Sequence, residues 1–581
     1  MKTINLIFII TTILTSIVDI FTNAAIISKE SSGYINIKKT FIAEKPLEYN
    51  GTQIRKYDFN VANKMLAPDG YMREMTVING EYPGPTIHVN KGDKIIVNVT
   101  NAIGAHCTIH WHGLFQTGTN WFDGVPGISQ CPIPNEKSYS YEFETGSQKG
   151  TFWYHSHFST QAVDGMVGAF IVHDPEDPYI NEYDEEFIIN ISDHFHTQSG
   201  KLIALRLQPN YTGFNPVPDA GLINGATQID CSKLKEKEKE NCDTKNGISR
   251  FIFEQGKTYR LRIINFSAES PFTFSIDGHL LKIIEVEGTY VEPNYVSHLY
   301  LNVAQRYSVI VKADQRVDTY WMRANRAAEC LVTPNNQTIN FDSPINNNVT
   351  ALIQYDNAPL KTPVSEMLPY DNDFLQCEDP SWEKLRPSKE IEKDLPSFTG
   401  PATSLFNFQF KFGVNLQNVS LVYVNNVSFI PHLNLPTVQK LFDGINPREL
   451  AKSENKYLIA SNGTVDVIIV NDNGAQHPFH LHGHKFGIIT EGYLLDGKPT
   501  FNETTRYNFE NPVIRDTASV PPFKYFIIRF NATNPGVWPL HCHIKWHIEM
   551  GMLIQFIERP DDLLKLEYPI AARDLCHGII E

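Results

Sequence analysis

Apolar and polar residues alternate along most of this chain. In 86–101, TIHVNKGDKIIVNVTN, apolar side chains recur at every second position on either side of a Lys-Gly-Asp turn. A period of two puts those side chains on one face of a half-buried strand. The same alternation runs through 257–267 (KTYRLRIINFS), 306–314 (RYSVIVKAD), 464–472 (TVDVIIVND) and 524–536 (KYFIIRFNATNPG). Helical periodicity is scarce, and Gly and Pro, 35 of each, break the chain at short intervals. These features predict an all-β fold of stacked sandwiches. A turn followed by an alternating strand recurs at 91–100, 256–264 and 463–470. That recurrence predicts three homologous β-sandwich domains, at 45–178, 179–355 and 400–570. The Pro-, Ser- and charge-rich stretch 356–399 reads as the linker between the second and third.

The first residues change the picture from fold to destination. Lys2, an apolar run over 4–18 and the small residues around Ala24 and Ala25 predict a secretory signal peptide over 1–25, too short and too quickly followed by polar sequence to be a span. No later stretch is apolar enough to cross a bilayer, so a secreted, extracellular monomer is expected. The sequons at Asn98, Asn190, Asn348 and Asn531 agree with export and predict a glycoprotein. A net charge of -15 disfavours a nucleic-acid partner. The one charge run, KLKEKEKE at 233–240, reads as a solvated loop that Cys231 and Cys242 could close with a disulfide. Cys107 is expected to stay unpaired and buried, and the pairing of Cys330 and Cys377 is open.

Half of the 20 histidines fall in four short stretches: HWHG at 110–113, HSH at 155–157, HPFHLHGH at 477–484 (leaving His484 aside) and HCHIKWH at 541–547. In strand-like sequence His-x-His sends both rings to one face, where they can hold one metal or bridge two. His88, His173, His279 and His298 have no such grouping and read as surface or structural residues. Cys542 with His547, a second imidazole from His477 and an axial Met552 makes a blue-copper electron-transfer set. His541 and His543 point away from the Cys542 face and can serve a different centre. With His110, His112, His155, His157, His480 and His482 they suit three further copper ions. Such a cluster plus the blue centre can store the four electrons that reduce O2 to water. Zinc fits less well, since it has no redox role.

These motifs, in this order, resemble those of the multicopper oxidases over about 75–560. The resemblance implies three cupredoxin-like Greek-key domains and four copper ions: one type 1, one type 2 and a type 3 pair. By it His477, Cys542, His547 and Met552 belong to type 1, and His110 and His480 to type 2. The type 3 pair takes His112, His155, His157, His482, His541 and His543. The stretches around 110–133 and 150–178 are most similar to laccases, with Trp121 more laccase-like than ferroxidase-like. This implies one-electron oxidation of phenols or aromatic amines. The alternatives are a soluble ferroxidase taking Fe2+, an ascorbate-oxidase-like enzyme and, from another class, a copper-storage protein without turnover. The resemblance also pairs Cys131 with Cys576, and puts Val163 and Ala268 where a second laccase bridge would sit. Glu269 matches the acid that accepts a phenolic proton, Asp123 an acid near type 2 copper, and Asp193 an acid that ferroxidases use for iron. Lys545 stands where many relatives carry an acid on the proton route to O2.

Overall fold

The computed structural model describes residues 35–577 and Ile579, apart from 328–347, 373, 375–376, 382–383, 390–397 and 502–504. The signal-peptide segment 1–25 and Cys330 lie outside the described residues. The strands form three pairs of sheets. In the first pair one four-stranded sheet runs Arg73–Ile78, Ile54–Leu66, Lys94–Ala102, Ser138–Glu144. The other runs Ile87–Asn90, Val167–His173, Gly150–His155, His110–His112. Two six-stranded sheets make the second pair, and a seven- and a five-stranded sheet make the third. The longest helix among the described residues is Ser199–Arg206, of 8 residues. Among those residues no helix is long and apolar enough to cross a membrane.

The alternating stretches all become strands, including Thr258–Asn265, Arg306–Lys312, Thr464–Val470 and Lys524–Asn531. Along Lys94–Ala102 Ile95, Val97 and Val99 are buried while their neighbours are partly exposed, as a one-sided sheet requires. Lys524–Asn531 is buried on both faces along nearly its whole length. One strand departs from the sequence reading. Ile37–Phe41 precedes the first domain yet runs parallel to Ile248–Phe253 at the edge of a sheet of the second pair. Its Lys38, Lys39 and Thr40 are exposed, so the short charged strand blunts that edge.

The stretch between the second and third pairs is a fastened strap. Ser388 N donates to Tyr290 O (3.0 Å) and Glu292 N to Arg386 O (2.8 Å) on the second-pair side. Asp379 pairs with Arg515 (3.1 Å) and Glu378 with Lys524 (3.0 Å) on the third. Disulfides join Cys131 to Cys576 and Cys231 to Cys242, and Cys377 is disulfide-bonded. Cys107 is free and buried. Val163 and Ala268 pack in one apolar cluster.

Candidate metal centre

The registers of two short strands decide where the histidines go. His110–His112 lies antiparallel to Gly150–His155, with His110 opposite His155. In the third pair His477–Leu481 lies between Thr517–Val520 and Gly536–Cys542. There His480 faces His541 on one side and Thr517 on the other, and Phe479 faces Cys542. Alternation along each strand then separates two sets of side chains.

The larger set gathers His110, His112, His155, His157, His480, His482, His541 and His543, all buried. The triples His110–His480–His482, His110–His112–His155 and His157–His482–His541 each bring ring nitrogens within 4.8 Å of one another. His543 completes the group with its ring centroid 4.9 Å from that of His112. The smaller set is His477, Cys542 and His547. Cys542 Sγ lies 3.5 Å from His477 Nδ1 and 3.4 Å from His547 Nδ1. Met552 is fully buried in the same apolar cluster as Cys542, and its N–H donates to His547 O (3.0 Å). His484 stays outside both sets, paired with Glu558 at 2.9 Å. His88 and His173 stack on each other, and His279 bonds Tyr355.

Most rings of the larger set are anchored by one nitrogen and aim the other inward. Nδ1 donates to Asp123 O from His110 (2.7 Å), to Ser156 O from His155 (2.9 Å), to Asp516 O from His480 (2.9 Å) and to Cys542 O from His541 (3.0 Å). His482 Nδ1 meets Asp123 Oδ2 (2.9 Å). His112 is turned round: its Nε2 meets Asp516 Oδ1 (3.1 Å) and its Nδ1 faces inward. The inward nitrogens of His110, His112, His155 and His480, and both nitrogens of His543, are buried with no hydrogen-bond partner. His482 Nε2 and His541 Nε2 face each other at 3.0 Å with both Nδ1 atoms already engaged. Burial, and after it the neighbouring rings, hold His155, His157, His482, His541 and His543 well below the usual imidazole range, with Lys545 adding to the effect on all but His482. Those five rings therefore present lone pairs, not protons, toward the centre. Each unpartnered buried polar atom costs about 1–3 kcal/mol, and cations in the centre would remove that cost. A set of imidazoles beside a thiolate-and-imidazole site fits copper.

Carboxylates from two loops fix the rings. Asp123, fully buried, lies 3.2 Å from His110 Nδ1 and reaches His482. Asp516 Oδ1 reaches both His112 (3.1 Å) and His480 (3.4 Å). Arg306, from the second sheet pair, clamps Asp516 with two bonds of 2.7 and 2.6 Å. Burial works against that charge, but the Arg306 guanidinium holds Asp516 well below the usual carboxylate range. Glu287 Oε2 accepts from the N–H groups of Asp516 (2.8 Å) and Thr517 (2.9 Å).

The outer edge of the cysteine site carries a different chain of contacts. The Asn215 amide sits 3.1 Å from both His547 Nε2 and Glu269 Oε1, and Trp546 Nε1 donates to Glu269 Oε2 (3.0 Å). Burial pushes the Glu269 carboxyl up to about 8. Asp193 accepts the backbone N–H groups of Ala268, Glu269 and Ser270 at 2.8–3.0 Å, so both its oxygens are spent holding the Glu269 turn. Lys545 faces inward instead, its Nζ 3.3 Å from His155 Nδ1, and burial lowers it to about 7.

Asp516, Arg306, Glu287 and Asn215 escaped the sequence reading. The first left a trace, since an Arg-Asp pair in the apolar run NPVIRDTASV is charge in a strand that is otherwise core. Asn215 lies in a loop with no pattern to mark it. Comparison with known proteins gives the same family three times: the multicopper oxidase models match residues 60–177, 185–358 and 425–562. A laccase of Phlebia radiata is 37% identical over 525 residues, covering 88% of this chain and 91% of that one. A laccase of Trametes maxima is 35% identical, covering 89% and 97%. Among solved structures the laccase of Botrytis aclada superposes with a TM-score of 0.77 at 31% identity, over 90% of this chain and 92% of that one. Fet3p, a multicopper oxidase that functions in iron import, gives 0.78 at 27% identity over 90% and 95%.

Proposed function

Since the chain belongs to the multicopper oxidase family and is a laccase-like copper oxidoreductase with O2 as acceptor, we propose that it is a secreted phenol oxidase holding one type 1, one type 2 and two type 3 copper ions. The pattern of orphaned ring nitrogens carries this reading. His477, Cys542, His547 and Met552 would hold the type 1 ion, His110 and His480 the type 2 ion, and the remaining six histidines the type 3 pair. The domains are taken as 45–178, 179–355 and 400–570. Bound copper supplies one-electron acceptance at the cysteine site and four-electron reduction of O2 at the histidine cluster.

The protein's own groups do the rest. A phenol at the edge of His547 loses its proton to Glu269, which Asn215 and Trp546 hold beside the ring. The peptide bonds from Cys542 to His541 and His543 connect the two sites covalently. Asp123 and Asp516 keep the rings aimed, and the Arg306 clamp keeps Asp516 ionised beside the cluster. Lys545 and, one turn on, Glu549, which Ser159 bonds at 3.2 Å, occupy the route where relatives carry an acid. The binding of Asp193 to backbone N–H groups favours phenols over Fe2+.

Steady-state rates on a phenol, Fe2+ and ascorbate with the copper-loaded protein test the substrate. A preference for Fe2+ would overturn it. Cys542→Ser should abolish the intense visible thiolate–Cu(II) band and nearly all turnover. A blue Cys542→Ser protein would refute the type 1 assignment.

A further inference from the structure

Beside the His547 edge lies a cation that makes no ion pair among the described residues; Glu269, on the far side of the Asn215 amide, is the carboxylate whose charge it feels. Arg206 ends the helix Ser199–Arg206 and is 6% exposed. Its Nη1 is buried with no hydrogen-bond partner, and among the described residues it makes no ion pair. Its one side-chain hydrogen bond is weak, from Nε to Asn215 Oδ1 at 3.5 Å. The guanidinium lies over the Tyr211 ring, 5.4 Å from its centroid. The fully buried arginines are all answered by carboxylates: Arg260 by Asp177 and Glu285, Arg262 by Glu186, Arg306 by Asp516, Arg515 by Glu287 and Asp379. Burying a charge without a partner is costly, so a buried arginine left open at a binding edge is the feature to explain.

Its surroundings say what would fit. Asn215 joins Arg206 to Glu269 and His547, so the cation sits one amide away from the groups that take the phenol. Exposed apolar side chains fall in the same segment, Leu205, Phe214 and Val217, and in the strand and turn that the segment is tied to, Phe412 and Leu416. The Phe412 ring stands edge-on to His547, with centroids 5.4 Å apart. Asn210 N donates to Asn418 O (2.9 Å), tying the two stretches together. An aromatic ring suits these apolar side chains, a hydroxyl suits Glu269 and an anion suits Arg206.

We propose that Arg206 is a specificity-determining residue that binds a carboxylate, so that the preferred donors are phenols bearing a carboxylate group. The inference rests on the phenol-oxidase reading for its turnover but not for its binding. The planar guanidinium is matched to a carboxylate. Nη1 is covered, so binding of the carboxylate includes a shift of the side chains around it.

The test has a binding arm and a turnover arm. In the first, 3,5-dimethoxybenzoate, which has no phenolic proton, is titrated calorimetrically into the copper-loaded protein, with its methyl ester as control. The acid should bind better than the ester. Arg206→Gln should weaken the acid by about 10- to 100-fold, the size of one charge-assisted hydrogen bond, and Arg206→Lys by less. In the second, kcat/KM is compared for 4-hydroxy-3,5-dimethoxybenzoate and its methyl ester. The acid-to-ester ratio should fall by the same factor in Arg206→Gln and recover in part in Arg206→Lys. Equal binding of the acid to parent and Arg206→Gln, no binding at all, or an unchanged ratio would overturn the proposal. If the acid binds through Arg206 while neither phenol is oxidised, the subsite stands and the phenol-oxidase reading falls.

Discussion

At the scale of single residues the chemistry turns on what burial does to a few groups. Glu269 lies in apolar surroundings, and burial outweighs its bonds to Asn215 and Trp546, lifting it to about 8 from 4.5. Raised above its unfolded value, it costs nothing while both states are neutral below about 4.5. It then subtracts stability as pH climbs through about 8. As a base it needs the ionised form, so kcat/KM for phenols should rise with pH up to about 8. Glu269→Gln should flatten that profile and lower phenol turnover on the order of 10²-fold, while a non-phenolic donor changes little. Equal losses on both donors would make the residue structural. Met552 sits at 0% exposure in the core around Cys542. As a thioether ligand of the proposed type 1 ion it would favour Cu(II) over no ligand. Met552→Leu should therefore raise the type 1 potential and keep the blue band, and a redox titration without a rise would make Met552 simply core. The histidine and cysteine clusters stood out because four His-x-His and His-Cys-His stretches in one chain are a rare pattern. Asn215 and Arg206 did not, because a loop amide and a helix-end arginine look alike whether they face water or a site.

At the scale of elements, alternation gave most strands, since a sheet with one wet face must write its period into the sequence. It was silent about partners. That Ile37–Phe41 belongs to the second sheet pair depends on an edge offered 200 residues later, roughly, and no local signal encodes it. Neither does the cross-strand register of His480 and His541 appear in either strand alone. The turn at Asp123-Gly124 shows how tightly one element is set. Gly124 has φ +83°, and a Cβ there would lie 1.9 Å from the carbonyl oxygen of Ile109, just before His110. Gly124→Ala should push the His110–His112 strand out of register and lower the yield of folded, copper-binding protein. Asp123→Asn keeps the shape but loses the charge beside His110 and His482. Losses of 10- to 100-fold in metal affinity or activity are typical of such changes, read by copper content after dialysis. Full copper retention in Asp123→Asn would remove it from the ring-orienting role.

At the scale of the whole molecule, the histidine cluster exists only while the first and third sheet pairs stay together. His110 and His112 come from one, His480 and His482 from the other, and Arg306 from the second pair reaches in to hold Asp516 between them. The chain closes this interface with its own C-terminal end. Ala572, Leu575, Cys576 and Ile579 pack into the core of the first pair, Tyr568 stacks on Phe442 at 4.8 Å and meets Trp121 at 5.8 Å, and Cys576 is bonded to Cys131 across 445 residues. A disulfide closing so long a loop typically contributes about 2–4 kcal/mol. The cysteine site lies wholly within the third pair, since His477, Cys542 and His547 all come from it. Cys576→Ser should thus act unevenly. Proteases should reach the tail sooner, and a chelator should strip the histidine cluster faster than in the parent protein, while the blue absorbance, which reports the cysteine site, decays at the parental rate. Total copper and blue absorbance followed together would separate the two losses. If they fall in step in both proteins, the tail stabilises the molecule as one unit and does not act as a clasp on the interface.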